Sequence, residues 1–274
     1  MRSTLKGSAL LKWTIILLIA SWRVFAFEPP VKVLVYGDDA YPPYSYVENG
    51  ISKGIYSDIL RRVFKDMPGY QIKIVPIPWK RGLKMLKSGR GFALFPPYYY
   101  ADKRFYISPY STPILNEEVV VFCNNASVKD RPLSKWPADY LGLTIGVNEA
   151  FSLGGNEFWN AVKAGKITVS EAKGSRPSLI KLYENKIDCY MNDRLSILWE
   201  IRRMTTDGLL PIDWKLTLGA VVSAEQGYLG FTTIQPDKYP FKDDFVTTFN
   251  SVLTKLKETG ELDGIIKAYL EQDL

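Results

Sequence analysis

Short apolar runs alternate with amphipathic segments in the first third of the chain. Residues 31–36 form a valine-rich apolar run, which is typical of a buried strand. Apolar side chains recur at helical spacing over residues 55–64, and residues 70–77 alternate apolar and polar positions. A second amphipathic segment precedes the apolar residues 92–95. The order strand, helix, strand, helix, strand predicts an α/β unit with a parallel sheet.

This alternation breaks after the third strand and then resumes. Residues 116–123 predict a strand that no helix precedes, and a second α/β round begins near Leu143. The second round is predicted to contain strands at residues 143–147, 167–170, 187–191, 218–222 and 227–232, and helices around residues 158–163, 175–182 and 195–204. Apolar stripes from Phe245 onward predict a helical end. Two such rounds indicate two similar lobes.

Polar or aromatic side chains follow the predicted strands in both rounds. Asp38, Trp79, Arg104, Asn148 and Asp193 each come a few residues after a strand. In open α/β sheets ligands bind beyond the carboxyl ends of the strands. We therefore predict one ligand cleft between the two lobes.

Arg104 stands out among these residues because aromatic side chains surround it in the sequence. It follows the apolar strand at residues 92–95, a Pro-Pro step and three tyrosines. Its planar guanidinium matches a carboxylate with two parallel hydrogen bonds. The alternative is an exposed loop arginine paired with Asp102.

The first 26 residues have the pattern of an export signal. Basic residues precede an apolar run at residues 13–22, and Val24-Phe25-Ala26 fits a cleavage site. We therefore predict a signal peptide at residues 1–26, with an uncleaved anchor as the alternative. The signal holds four basic residues and no acids. Its removal therefore lowers the net charge from +6 for the full sequence to +2 for the mature chain. No dense basic cluster remains, which argues against nucleic-acid binding.

Histidine is absent from the sequence, which excludes Ser-His-Asp and Cys-His chemistry and removes the commonest metal ligand. The two cysteines, Cys123 and Cys189, are too few to build a zinc site alone. We expect no metal and no cofactor. In an oxidising compartment these cysteines form a disulfide or remain as two buried thiols.

Short motifs recur in order along nearly all of the mature chain. They are Asp38-x-x-Tyr41-Pro-Pro-Tyr44, Gly50-x-x-x-Gly54-Ile55, Pro78-Trp79, Leu86-x-x-Gly89, Asp102-Lys103-Arg104, Ile107-Ser108-Pro109-Tyr110, Gly146-Val147, Asn185-Lys186-Ile187-Asp188, Asp193, Asn250-x-x-Leu253-x-x-Leu256 and Gly260. Together they resemble the periplasmic solute-binding proteins of ABC importers, polar amino-acid type, which form bacterial solute-binding protein family 3.

This resemblance implies an α/β fold of two Rossmann-like lobes joined by two crossing strands, the type II periplasmic binding fold. The first lobe would hold residues 27–119 and 229–274, and the second lobe residues 120–228. The crossing strands would lie at residues 117–122 and 228–232.

The resemblance also assigns ligand-binding roles. Arg104 stands where the family arginine binds the α-carboxylate of the ligand, and Asp193 stands where an acid receives the α-ammonium. Asp38 stands where a second acid contributes, and Tyr41 and Trp79 stand where aromatic rings flank the ligand. The alternative role for Asp193 is to cap the helix that follows it.

Three positions depart from the family pattern. Pro97 and Tyr99 replace the usual Gly-x-Thr, which supplies a carbonyl and a hydroxyl. Asn148 begins the sequence Asn-Glu-Ala-Phe where the family has a Gly-Ser/Thr loop. The α-amino-acid clamp is therefore only partly present. We expect a small carboxylate-bearing ligand, an amino acid or a related compound, and the departures also fit a carboxylate with a different cationic end or an aromatic solute.

The predicted function is that of a monomeric periplasmic protein without enzymatic activity, which binds its ligand and delivers it to a membrane ABC permease or to a separate receptor. One alternative is an exported dehydratase of the same fold, with Glu149 or Glu225 as the general acid. Another is a ligand-sensing module.

Overall fold

The structure of the protein, a computed structural model, describes residues 29–271. The predicted signal peptide at residues 1–26 lies outside the described residues. None of the helices within residues 29–271 is long and apolar enough to cross a membrane.

Strands and helices alternate through most of this range, with two short 3₁₀ turns. The strands are β1 (Val31–Asp38), β2 (Ala40–Tyr41), β3 (Ser45–Glu48), β4 (Ile51–Lys53), β5 (Tyr70–Ile77), β6 (Ala93–Phe95), β7 (Ile107–Tyr110), β8 (Leu115–Asn124), β9 (Thr144–Asn148), β10 (Thr168–Ala172), β11 (Cys189–Asp193), β12 (Leu216–Gly227) and β13 (Gly230–Thr232). The helices are α1 (Ile55–Lys65), α2 (Trp79–Lys87), α3 (Gly155–Lys163), α4 (Ser175–Tyr183), α5 (Arg194–Thr206), α6 (Lys242–Glu258) and α7 (Glu261–Glu271).

The first five-stranded sheet has the order β5-β1-β6-β13-β7. β1 pairs in parallel with β5 and β6, while β13 pairs antiparallel with β6 and β7. The apolar stripe of α6, formed by Phe245, Phe249 and Leu253, is buried in the same core as Ile59 and Val63 of α1. We call this sheet, the small sheet β2-β3-β4 and α1, α2, α6 and α7 the first lobe.

The second five-stranded sheet has the order β10-β9-β11-β8-β12. β9 pairs in parallel with β10 and β11, and β8 pairs antiparallel with β11 and β12. Val120 and Val121, which are neighbours in β8, are buried in two different apolar clusters of this sheet, because successive strand residues point to opposite faces. We call this sheet and α3, α4 and α5 the second lobe.

The chain passes between the two sheets at residues 111–114 and again at residues 228–229. These two segments are joined, because the Ser111 amide donates to the Leu229 carbonyl at 2.9 Å and the Ile114 amide donates to the Gly227 carbonyl at 2.8 Å. The predicted crossing strands at residues 117–122 and 228–232 directly follow these segments or overlap them, and residues 117–122 lie inside β8, which pairs along its length with β12. The boundary between residues 119 and 120 therefore falls within a strand of the second sheet.

Candidate functional site

A small cavity lies where the two lobes meet. It is lined by Asp38, Tyr41, Trp79, Pro96, Tyr98, Tyr100, Arg104, Phe151, Ser152 and Leu153. The last three of these residues come from the second lobe and the others from the first lobe. We call this cavity the Arg104 chamber. The sequence predicted four of the ten lining residues.

Arg104 lies in the turn that precedes β7, where its amide donates to the Tyr100 carbonyl at 2.8 Å. The side chain is only 5% exposed, and its guanidinium carbon lies 5.5 Å from the centre of the Trp79 ring and 5.2 Å from that of Tyr100. Within residues 29–271 no carboxylate forms an ion pair with it. The predicted alternative, an exposed arginine paired with Asp102, is therefore not what the structure shows. Burial lowers the pKa of Arg104.

Asp38 is the last residue of β1 and its side chain is buried at the edge of the Arg104 chamber. One carboxyl oxygen, Oδ1, accepts a hydrogen bond from the Ala40 amide at 3.0 Å. Burial raises the pKa of Asp38 to about 7, and the amide of Ala40 partly opposes this rise. The group therefore exchanges a proton near neutral pH.

Aromatic rings form the walls of the Arg104 chamber. Phe151, from the loop after β9, inserts between two rings of the first lobe. Its ring centre lies 5.4 Å from that of Tyr41 and 6.0 Å from that of Trp79. Both contacts are edge-to-face, an arrangement that the quadrupoles of aromatic rings favour. Phe151 was not among the predicted site residues, although an aromatic residue just after the end of β9 is the signal that marks it.

A second small cavity adjoins the first and shares Asp38, Trp79 and Phe151 with it. We call it the Asn148 chamber. Asn148 is the last residue of β9 and is fully buried. Its Oδ1 accepts a hydrogen bond from the Tyr190 hydroxyl at 2.7 Å, whereas its Nδ2 has no acceptor.

Three predicted site residues line neither chamber. Asp193 is the N-cap of α5: its Oδ1 accepts from the Ser196 amide at 2.9 Å and its Oδ2 accepts from the Glu118 amide at 3.0 Å. Asp193 therefore caps α5, and its predicted contact with a ligand ammonium stays a prediction. Burial raises its pKa to about 6.

The two positions that replace the Gly-x-Thr pattern also point away from the chambers. The carbonyl of Pro97 accepts a hydrogen bond from the Tyr228 amide at 3.1 Å. The Tyr99 side chain is 60% exposed and packs against the rings of Tyr110 and Tyr228. Neither group faces the chamber that Arg104 lines.

The family model of the bacterial extracellular solute-binding proteins, family 3, matches residues 33–272. The chain belongs to this family. The resemblance that the motifs indicated is thus confirmed, and so is the predicted fold class. A comparison with curated protein sequences found no match.

Solved structures with the same fold come from proteins of different function. A substrate-binding protein of an ABC uptake transporter from Streptococcus pneumoniae, with bound histidine, has a TM-score of 0.66 at 17% identity, over 88% of this chain and 93% of that chain. A histidine kinase sensor domain with similarity to periplasmic binding proteins has a TM-score of 0.71 at 18% identity, over 88% and 96%. An ancestral amino-acid-binding protein, a precursor of cyclohexadienyl dehydratase, has a TM-score of 0.65 at 13% identity, over 87% and 94%.

In this family member a buried carboxyl group lies behind the Arg104 chamber. Glu117 of β8 accepts hydrogen bonds from three tyrosine hydroxyls of the first lobe: Tyr41, Tyr56 at 2.5 Å and Tyr98 at 2.5 Å. Burial raises the pKa of Glu117 to about 8, and the charge of Asp193 adds to the rise. Glu117 was not a predicted site residue, and it does not line either chamber.

The lobes of the binding protein also touch around the Asn148 chamber, whose lining includes Lys80, Glu149 and Lys173. Lys80 pairs with Glu149 at 2.8 Å, and the Ser196 hydroxyl donates to the Pro42 carbonyl at 2.7 Å. Lys173 pairs with Asp39 at 3.0 Å, and the neighbouring Gly174 comes so close to the first lobe that a Cβ there would lie 2.8 Å from the carbonyl oxygen of Ala40. Direct contacts between the two lobes therefore border the Asn148 chamber.

The cysteines lie on the second sheet, away from the Arg104 chamber. Cys123 of β8 and Cys189 of β11 are direct neighbours in the antiparallel register and form a disulfide in the structure. The sequence left open whether the register would bring both sulfur atoms to one face.

Proposed function

We propose that this protein captures a small carboxylate-bearing solute, an amino acid or a related compound, between its two lobes. The observation that supports this most directly is Arg104. A buried guanidinium without an anionic partner among the described residues is costly, and a ligand carboxylate would offset that cost with two charged hydrogen bonds. The guanidinium of Arg104 packs against the rings of Trp79 and Tyr100 in the wall of the chamber.

The ligand can be identified by mass spectrometry of the small molecules released when the purified protein is denatured. Calorimetry with that ligand then tests Arg104→Ala. Removing a charged partner from a closed chamber should cost about 2–5 kcal/mol of binding free energy, a hundredfold loss or more. Arg202→Ala is the matched control, because Arg202 is exposed on α5 and lines neither chamber. Unchanged affinity in the Arg104 variant would refute the carboxylate assignment.

The proposal includes export by cleavage after residue 26, a periplasmic location and a monomeric protein that delivers its ligand to an ABC permease or to a separate receptor. The lobes would comprise residues 27–119 with 229–274, and residues 120–228.

A ligand contacted by both lobes favours their approach, with the crossing segments as the hinge. Small-angle scattering should show a smaller radius of gyration at ligand saturation. Open states with and without ligand would contradict this model of closure.

A second candidate function, that of an exported dehydratase, gains support from Asp38. Its carboxyl lies in the Arg104 chamber and its pKa of about 7 suits a general acid. The acids considered from the sequence are less suited, because Glu149 pairs with Lys80, and Glu225 accepts from the Tyr100 hydroxyl at 3.3 Å and does not line the chamber. Incubation of candidate hydroxy acids with the protein, followed by chromatography, tests turnover. Binding without turnover would exclude this candidate for those acids.

A further inference from the structure

The side chain of Phe151 joins apolar clusters of both lobes. Phe151 belongs to the second lobe, yet its ring packs against two apolar clusters of the first lobe as well as one of the second lobe. The ring centre lies 5.4 Å from that of Tyr41 and 6.0 Å from that of Trp79. A side chain of the second lobe therefore fills the slot between two aromatic rings of the first lobe.

A tight turn after β9 fixes the direction of this side chain. The Phe151 amide donates to the Asn148 carbonyl at 3.0 Å, and the Glu149 amide donates to the Ala172 carbonyl at 2.9 Å. Ala150, between them, has a φ of 63°, in the left-handed region that residues with a Cβ rarely adopt. Hydrogen bonds on both sides of Ala150 therefore hold the turn that presents the Phe151 ring to the first lobe.

The Phe151 ring also stands between the two chambers. Asp38, Trp79 and Phe151 are the residues that line both the Arg104 chamber and the Asn148 chamber. The rings of Trp79 and Phe151 touch edge to face, so together they form a wall between the chambers. Asp38 ends a central strand of the first sheet and Trp79 begins α2, so both belong to the first lobe. The wall is therefore completed only when the second lobe brings Phe151 to it.

We propose, resting on the binding function above, that Phe151 limits the length of the solute and so makes this a binding protein for short-chain carboxylates. A carboxylate held by Arg104 leaves the rest of the ligand to the small space that Phe151 and Trp79 bound. A longer chain would have to pass into the Asn148 chamber, and the Phe151 ring blocks that passage once the lobes meet. Long ligands therefore oppose closure, and the contacts that closure adds are lost to them.

Calorimetry with two homologous series measures this limit on the purified protein. The series are alanine, 2-aminobutyrate, norvaline and norleucine, and propanoate, butanoate, pentanoate and hexanoate. Each methylene that enters an apolar chamber should tighten binding about fourfold. In the wild type this gain should end within a series, and in Phe151→Ala it should continue. The six-carbon members should therefore bind at least tenfold more tightly to the variant than to the wild type.

Two further variants separate the ring from other effects of the substitution. Phe151→Tyr keeps the ring in place and should retain the wild-type length limit. Phe105→Ala is the matched control, because Phe105 is 70% exposed and lines neither chamber. The deciding quantity is the ratio of long-chain to short-chain affinity, since damage to the fold would weaken all ligands alike.

Three outcomes would overturn the inference. If the ratio is the same in the wild type and Phe151→Ala while Arg104→Ala abolishes binding, the length limit is wrong and the proposed carboxylate-binding function stands. If Phe151→Tyr shifts the ratio as far as Phe151→Ala does, the ring is not the barrier. If neither series binds to the wild type or to Phe151→Ala, the inference and the proposed function both fail.

Discussion

Replacing Glu117 with glutamine should make the stability of the protein less dependent on pH between about pH 5 and pH 9. Glu117 is fully buried under three tyrosine hydroxyls, and burial raises its pKa from 4.5 to about 8. One pKa unit corresponds to about 1.4 kcal/mol of free energy. Ionising Glu117 therefore costs roughly 5 kcal/mol more in the folded protein than in the unfolded protein. Glutamine keeps the shape and cannot ionise.

The sign follows from the direction of the shift. Because the pKa of Glu117 is higher in the folded than in the unfolded protein, the folded state binds the proton more tightly. This contribution to stability is complete below about pH 4.5 and is lost as the pH rises through about 8. The wild-type protein should therefore lose up to roughly 5 kcal/mol from this group over that range, and Glu117→Gln should not.

Urea unfolding followed by tryptophan fluorescence, at one-unit steps of pH, measures this difference. Asp38 and Asp193, whose pKa values burial also raises, make the stability of both proteins fall as the pH rises. Subtracting the two profiles leaves the contribution of Glu117 together with its coupling to the charge of Asp193. Glu118→Gln is the control, because this neighbour in β8 is 44% exposed and pairs with Arg194. Parallel pH profiles for the wild type and Glu117→Gln would refute the reasoning.

Three further substitutions test other parts of the structure. Gly174→Val places a side chain against the first lobe at a φ of 78°. Ligand affinity should therefore fall at least tenfold, while the free energy of unfolding of the second lobe changes by about 1–2 kcal/mol. Unchanged affinity would contradict the contact between Gly174 and the first lobe. Gly227→Ala puts a Cβ onto the hydroxyl of Tyr56 and should destabilise by about 1–3 kcal/mol in urea unfolding, and no effect would argue against the Glu117 cluster. The double variant Cys123→Ser, Cys189→Ser opens a loop of 66 residues and should lose about 4 kcal/mol, whereas two free thiols in the denatured, unreduced wild type would rule out the bridge.

The larger elements of the fold were predictable because burial imposes a regular pattern on them. β1 and β5 and the helices α1 and α6 carry the apolar spacing that identified them. β7 was missed, since its four residues contain a proline and show no alternation. β12 was predicted only over residues 218–222, because its register with β8 shifts twice and disturbs the alternation, and the predicted strand at residues 227–232 contains β13.

The candidate site was predictable where a residue ends a strand. Asp38 and Asn148 are the last residues of β1 and β9. Because both strands end at the chambers, the side chains of these residues lie there. Arg104 was identified by its chemistry and by the family motif. Glu117 was not identifiable, because nothing in its own strand shows that three hydroxyls converge on it from separate elements.

Asp193 shows how one position serves two roles that a sequence does not separate. An acid after a strand and before a helix fits both a ligand contact and an N-cap. The structure shows the N-cap role, since the amides of Ser196 and Glu118 each donate to one carboxyl oxygen, and the ligand contact stays a prediction. Those partners come from the helix start and from another strand, and only the fold brings them together.

The tyrosines around Glu117 connect the chamber to the hinge by direct contact. Tyr41 and Tyr98 line the Arg104 chamber with their rings and donate to Glu117 with their hydroxyls. Glu117 belongs to β8, which begins directly after the crossing segment at residues 111–114. These hydrogen bonds therefore link the lining of the Arg104 chamber to the strand that follows the first crossing segment.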